Sequence, residues 1–163
     1  MRLNPSSQAD RISLGIALNR GGKTDDSIEE LAEAIKIDPR SAEAHYNLGL
    51  AYAAAARPGE AETQFAETIR LQPDNHEAHY NLGTSLAGRG KMSEAVASFE
   101  KAVQLKPDYA NAHNNLGSAL ANLGRIEEAV VHFSEAVRLT PDSEEARRNL
   151  QYAFTLQGKV DKR

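Results

Sequence analysis

Cysteine and tryptophan are both absent from this 163-residue chain. Without thiols there is no disulfide framework, no thiolate metal site and no cysteine nucleophile, and a reducing, cytoplasmic setting is the expectation. Basic clusters are missing too. The 19 Lys and Arg residues against 23 Asp and Glu leave a formal charge of −4, and no Lys/Arg run offers the phosphate-neutralising stripe that nucleic acid requires. Apolar runs stay well below the ~18 residues of a membrane span, and MRLNPSS has no signal-peptide core. Neither nucleic acid nor membrane insertion of this segment is expected. What is present, 40% hydrophobic and 26% charged, is ordinary globular material, enough for one core.

The dominant feature is a period. EAHYNLG occurs at residues 43–49 and again at 77–83, and NAHNNLG begins at Asn111, each 34 residues after the last. Five of the six prolines, at positions 5, 39, 73, 107 and 141, keep the same interval, and only Pro58 is out of phase. The chain divides accordingly into a remnant at 1–7, units at 8–41, 42–75, 76–109 and 110–143, and a half unit with a tail at 144–163. Within a unit, apolar residues recur at spacings of three and four, as in Leu48 and Tyr52, then Ala61, Phe65 and Ile69, so each unit reads as two amphipathic helices. The break between them falls at Gly22-Lys23, Gly90-Lys91 and Gly124-Arg125, where glycine can take the positive φ that ends a helix. Ala56-Arg57-Pro58-Gly59 does this in the second unit, with Pro58 acceptable in a first helical turn. The phased prolines end the second helices by disfavouring helical geometry in the residue before them.

His45-x-x-Leu48-Gly49-x-x-Tyr52, then Ala61-x-x-x-Phe65, then Pro73, resembles the tetratricopeptide repeat, with His where that family has Trp. His79, Leu82, Gly83, Leu86, Ala95, Phe99 and Pro107 repeat it, as do His113, Leu116, Gly117, Leu120, Ala129, Phe133 and Pro141. A weaker copy runs through Arg11, Leu14, Gly15, Leu18, Ser27, Leu31 and Pro39. The resemblance implies an all-α fold, a right-handed superhelical solenoid of antiparallel helix pairs. Gly49, Gly83 and Gly117 are expected opposite Ala61, Ala95 and Ala129, which would let paired helices approach to the usual ~8–10 Å.

The two ends read differently. Arg2-Leu3-Asn4-Pro5 is in register with Arg70-Leu71-Gln72-Pro73, so the chain reads as cut from a longer array, with Met1 an addition for expression. The face of Ile12, Leu14 and Ile16 would then lack a neighbour, and weak self-association through the N-terminal repeat is expected. At the other end Arg147 and Gln151 stand where earlier units carry His113 and Gly117, the polar substitution a capping helix needs, so the array is expected to end near Gly158.

At ~100° per residue, Asn47 points away from the arc of His45, Leu48, Gly49 and Tyr52, and Glu43, Leu50 and Ala54 share its side. In the tetratricopeptide family that side lines the concave groove. Asn47, Asn81, Asn115 and Asn149 form a ladder there although Asn is a mediocre mid-helix residue. An amide offers both donor and acceptor and so suits the backbone of an extended peptide. The same position braces neighbouring helices in other members of the family, and both roles stay open. Similar AHxNLG stretches occur in the superhelix of O-GlcNAc transferases. Tyr46, Tyr80, Glu43 and Glu77 belong to the candidate groove, and Ala53, Ala54, Ala87, Gly88 and Ala121 keep its floor low. The family's carboxylate clamp for chaperone tails is not present, because the position it needs as Lys or Arg is Ile12, Tyr46, Tyr80 and Asn114.

No catalytic constellation emerges. His45, His79 and His113 recur one repeat apart, too far to share an ion, and read as packing residues; His76 and His79 lack a third ligand. Gly83-TSLA-Gly88 is half a phosphate loop followed by Arg89-Gly90 instead of the required Lys, inside a helix. No metal or cofactor is expected. The sequence is that of a non-enzymatic scaffold for a protein or peptide partner, or alternatively of the substrate-recruiting part of a larger enzyme such as an O-GlcNAc transferase or a membrane glycosyltransferase. Helical-repeat RNA binding is disfavoured by the acidic balance.

Overall fold

Two kinds of breaker, both phased, cut the chain into helices. The computed structural model describes residues 7–160, and the N-terminal Arg2-Leu3-Asn4-Pro5 register lies outside them. The described residues form α1 (Gln8–Arg20), α2 (Thr24–Ile37), α3 (Ala42–Ala54), α4 (Pro58–Leu71), α5 (His76–Gly88), α6 (Met92–Leu105), α7 (Ala110–Asn122), α8 (Ile126–Leu139) and α9 (Glu144–Val160). Gly22, Gly90 and Gly124 all take φ 76°, the left-handed geometry that lets the chain reverse after a first helix. Ala56 makes the same turn with φ 55°, at the steric cost a Cβ carries there, about 1–2 kcal/mol.

Each first helix packs antiparallel on its own second helix, and each second helix packs on the next first helix. The first helices α1, α3, α5, α7 and α9 also touch one another in order, whereas among the described residues no two second helices do. The second helices are therefore splayed apart, and the solenoid curves with its first helices on the inside.

The helix pairs close on a repeated contact between a glycine and a large side chain. A Cβ placed on Gly49, Gly83 or Gly117 would lie 2.6, 2.7 or 2.9 Å from the ring of Phe65, Phe99 or Phe133 respectively. The large ring reaches across the interface and occupies the space a side chain on the glycine would need, while in α1–α2 Ser27, at the place Ala61 holds in the next unit, donates its hydroxyl to the Gly15 carbonyl at 2.7 Å. In α1–α2 the same place is filled by Gly15 and Leu31. Ile12 is buried here, and Leu14 and Ile16 are half-buried.

The histidines at the family's Trp position are tethers as well as fillers. Nε2 of His45, His79 and His113 donates to the carbonyl of Pro39, Pro73 and Pro107 at 3.1, 3.0 and 3.0 Å, tying each first helix to the turn before it. On the other side of the ring a polar latch crosses to the second helix: His45 Nδ1 meets the Gln64 amide at 2.7 Å, and His113 Nδ1 meets His132 Nδ1 at 3.1 Å. In α1–α2 the latch is the Arg11–Glu30 ion pair at 2.6 Å.

The His113–His132 latch predicts acid sensitivity. A carbonyl only accepts, so His113 Nε2 carries a hydrogen, and in the neutral ring Nδ1 is the acceptor for His132 Nδ1–H. Burial first, and the neighbouring His113 second, hold His132 below the usual histidine range, with Glu128 and Arg125 also facing it. A folded value below the unfolded one means that this contribution is fully present above pH ~6.5 and is lost as pH falls through the folded value. Thermal melts near pH 7.5 and near pH 5, the span over which His titrates, should show a larger acid loss in the wild type than in His132→Gln, which copies the His45–Gln64 latch. Equal acid losses would remove the pair as their cause.

Candidate functional site

On the concave side the asparagine ladder is a row of contacts between neighbouring first helices. Asn81 Nδ2 donates to the Tyr46 hydroxyl and Asn115 Nδ2 to the Tyr80 hydroxyl, both at 3.1 Å, and Asn149 Nδ2 donates to Asn114 Oδ1 at 2.9 Å. Each rung joins an Asn to the residue 35 places earlier, one repeat back plus one. Asn47 breaks the pattern: its Nδ2 donates to the Glu43 carbonyl in its own helix at 2.8 Å. The residue 35 places before it is Ile12, which has no polar atom to receive it.

The rungs hold aromatic walls. Tyr46 rests on Phe65 and Tyr80 on Phe99, both with ring centroids 5.9 Å apart, and Tyr80 also meets Tyr109 at 4.9 Å. Tyr109 in turn stands edge-on to His76 at 5.6 Å, with the Lys106 ammonium 5.2 Å from its ring centre. Burial, followed by the Glu77 carboxylate, pushes the Tyr46 hydroxyl up to about 12; burial, followed by Tyr80 and Glu77, does the same to Tyr109. These phenols stay protonated at any physiological pH and serve as neutral hydrogen-bonding groups. Glu145 closes the last rung by accepting from Asn114 Nδ2 at 3.0 Å.

Of the sequence-predicted site residues, Asn81 and Asn115 join Tyr46 and Tyr80, Glu77 lies beside Tyr46, and Glu43 is exposed on the N-terminal turn of α3. Sequence reasoning missed Tyr109, and a signal was available. The N-caps of α1, α3 and α5 are Ser7, Ser41 and Asn75, and their side chains accept from the first-turn N–H groups of Asp10, Ala44 and Ala78; Ser143 caps Ala146 in the same way. Tyr109 holds this place before α7 and makes no side-chain cap. Its ring turns instead to Tyr80 and His76, in place of a cap worth about 1 kcal/mol.

Further along the groove, between α5 and α7, an open cleft of about 210 Å³ runs down to α6. Met92, Phe99 and Ala119 form its floor, and Asn115, Ser118 and Asn122 its polar rim. Asn115 therefore belongs both to the ladder and to the cleft. Among the described residues no helix is long and apolar enough to cross a membrane, and no group of three or more His, Asp or Glu is placed to hold a metal ion.

Family models described as TPR repeat match residues 15–55 and 85–124, and models described as tetratricopeptide repeat match 42–75 and 110–143. This chain belongs to the tetratricopeptide repeat family. The array superposes on MamA with a TM-score of 0.88 at 22% identity over 95% of this chain and 85% of that one. YrrB, described as a TPR protein with an unusual peptide-binding site, gives 0.84 at 23% identity over 95% and 80%, and PilF of Pseudomonas aeruginosa 0.82 at 22% over 93% and 69%. At these identities the likeness is one of fold. Comparison with curated proteins returns no match.

Proposed function

We propose that the array is a non-enzymatic scaffold that holds an extended peptide segment in its concave groove, with the peptide backbone on the asparagine ladder. The observation that carries this reading is the geometry of the rungs. Each of Asn81 and Asn115 spends one amide N–H on a tyrosine of the neighbouring helix, which fixes its orientation. An amide has a second N–H and a carbonyl oxygen to offer a ligand. Bracing and binding are thus compatible in one side chain, the first preparing the second by removing rotamer freedom before the ligand arrives. With first helices ~10 Å apart and an extended chain rising ~3.3 Å per residue, one rung would meet the peptide every three residues. The peptide-binding site named for YrrB is a precedent within the same fold.

Two double variants separate binding from bracing. Asn81→Ala with Asn115→Ala removes both bracing bonds and ligand bonds, while Tyr46→Phe with Tyr80→Phe removes the bracing bonds, and the Tyr46 hydroxyl's contact with Glu77, but leaves the amides in place. For a peptide selected on the wild-type array, the asparagine variant should bind several-fold to a hundredfold more weakly, at ~0.5–1.5 kcal/mol per lost hydrogen bond. The tyrosine variant, which frees the amides without removing them, should lose clearly less affinity than the asparagine variant and melt slightly lower. Should the asparagine variant bind normally and merely melt earlier, the ladder is bracing and the groove reading loses its support.

A further inference from the structure

The cleft between α5 and α7 has the wrong lining for empty solvent. Its floor of Met92, Phe99 and Ala119 is apolar, and Ala87, on the α5 side of the lining, is small enough to leave it open. The cleft of about 210 Å³ admits water, and its apolar floor offers that water few partners, so an aliphatic side chain is the favoured occupant.

Charge defines the rest of the occupant. On the second helices some carboxylates are paired, Glu67 with Arg70, Glu128 with Arg125 and Glu135 with Arg138, at 2.6, 2.7 and 2.6 Å, whereas Asp25, Asp26, Glu29, Glu100 and Glu127 stand in no ion pair among the described residues. Among the described residues, Glu43, Glu77 and Glu145 of the first helices form no such ion pair; Glu145 receives only the Asn114 amide, and Glu77 lies beside the neutral Tyr46 hydroxyl. The groove offers unneutralised negative charge at the N-terminal turns of its helices. On α5 the ladder residue Asn81 lies between Glu77 and the cleft, with Glu77 four residues or ~6 Å to one side along the helix and Thr84, on the cleft, three residues to the other, so a peptide crossing on the ladder has Glu77 within reach of a long Lys or Arg side chain.

Resting on the groove reading above, we propose that the ligand is a cationic extended segment with one aliphatic side chain of Leu or Met size in the α5–α7 cleft and a Lys or Arg two to four residues away, at the Glu77 carboxylate. The rim of Asn115 and Ser118 takes the backbone of the anchoring residue, and the ladder takes the backbone on either side.

Selection of displayed short random peptides on the whole chain tests this. Recovered binders should share one aliphatic position with a Lys or Arg two to four residues from it. Ala87→Leu, which fills the cleft from α5, should weaken them about tenfold or more, a loss of ~1.4 kcal/mol or greater, with helix content and melting retained; Ser118→Leu fills it from α7 and guards against a folding defect in the first variant. Glu77→Gln should weaken them several-fold at low salt and hardly at all at high salt, where exposed charges are screened. Binders that are acidic, that lack a fixed aliphatic position, or that ignore both filling variants overturn the proposal. Binders that lose affinity in the Asn81/Asn115 variant but not in either filling variant leave the groove reading standing without the cleft. Binders insensitive to all of these variants, or a selection that recovers none, count against both.

Discussion

Phe99→Ala is expected to destabilise the array by about 3–5 kcal/mol, the usual cost of emptying a buried aromatic site. Phe99 is 1% exposed, supports Tyr80, and lies against Gly83 so closely that a Cβ on that glycine would come within 2.7 Å of its ring. Gly83→Ala alone should therefore force the ring to move, at about 1–3 kcal/mol for overpacking, offset by about 1 kcal/mol of improved helix propensity. In the Phe99→Ala background the new methyl enters the vacated space, so the same substitution should be neutral or stabilising. Urea melts of the four proteins should give a coupling of about 1–3 kcal/mol. An additive cycle would show that Gly83 is not there for the ring. Because Phe99 also floors the α5–α7 cleft, the single Phe99→Ala variant should lose peptide binding along with stability.

This contact shows where sequence reading reaches its limit. The solenoid was legible because every helix pair repeats the same solution: a glycine or tight turn at positive φ, a proline past the second helix, and a small residue where two helices cross. How close the ring comes was not, because Ala61 and Phe65 lie on one face of α4 a single turn apart, and only the observed crossing brings the Phe65 ring within 2.6 Å of where a Cβ on Gly49 would stand. The histidines read as packing residues from their place beside Leu48 and Leu116, yet their bonds to the proline carbonyls six residues earlier depend on the path of the turn.

The candidate site follows the same rule. Helical geometry was enough to place Asn81 on the groove side, but its partner Tyr46 lies in another repeat, and the offset of 35 residues follows from how far one first helix is shifted along the next. The cleft is harder still. Its existence depends on the splay between α5 and α7 and on the depth at which Met92 stops, quantities that no spacing of letters encodes. What the letters do contain is the exception: Tyr109 in a row of capping residues, and Ile12 in a row of groove residues, each marking where the repeated bonding changes.

Removing residues 144–163 is expected to lower the melting temperature by roughly 5–10 °C, the shift about 3 kcal/mol produces in a domain of this size. Helix α9 presents two unlike faces. Ala146 and Ala153 are buried, Ala153 completely, and Leu150 packs on the cluster that contains Leu116, Leu120 and Phe133. On the other side Arg147, Gln151 and Phe154 are exposed. The deletion loses the burial of α9's own apolar atoms at ~25 cal/mol per Å², bares the α7–α8 surface beneath them, and leaves Asn114 without Asn149 and Glu145. Since each helix pair contacts only its neighbours, the damage should be local. Hydrogen exchange should accelerate in α7 and α8 and stay nearly unchanged in α1 and α2, a gradient that a uniformly cooperative domain would not give. An unaltered melt would mean that α9 adds nothing to the stack; uniform acceleration along all the remaining helices would mean that the array unfolds as one unit, and that variants in its last repeat report on the whole groove.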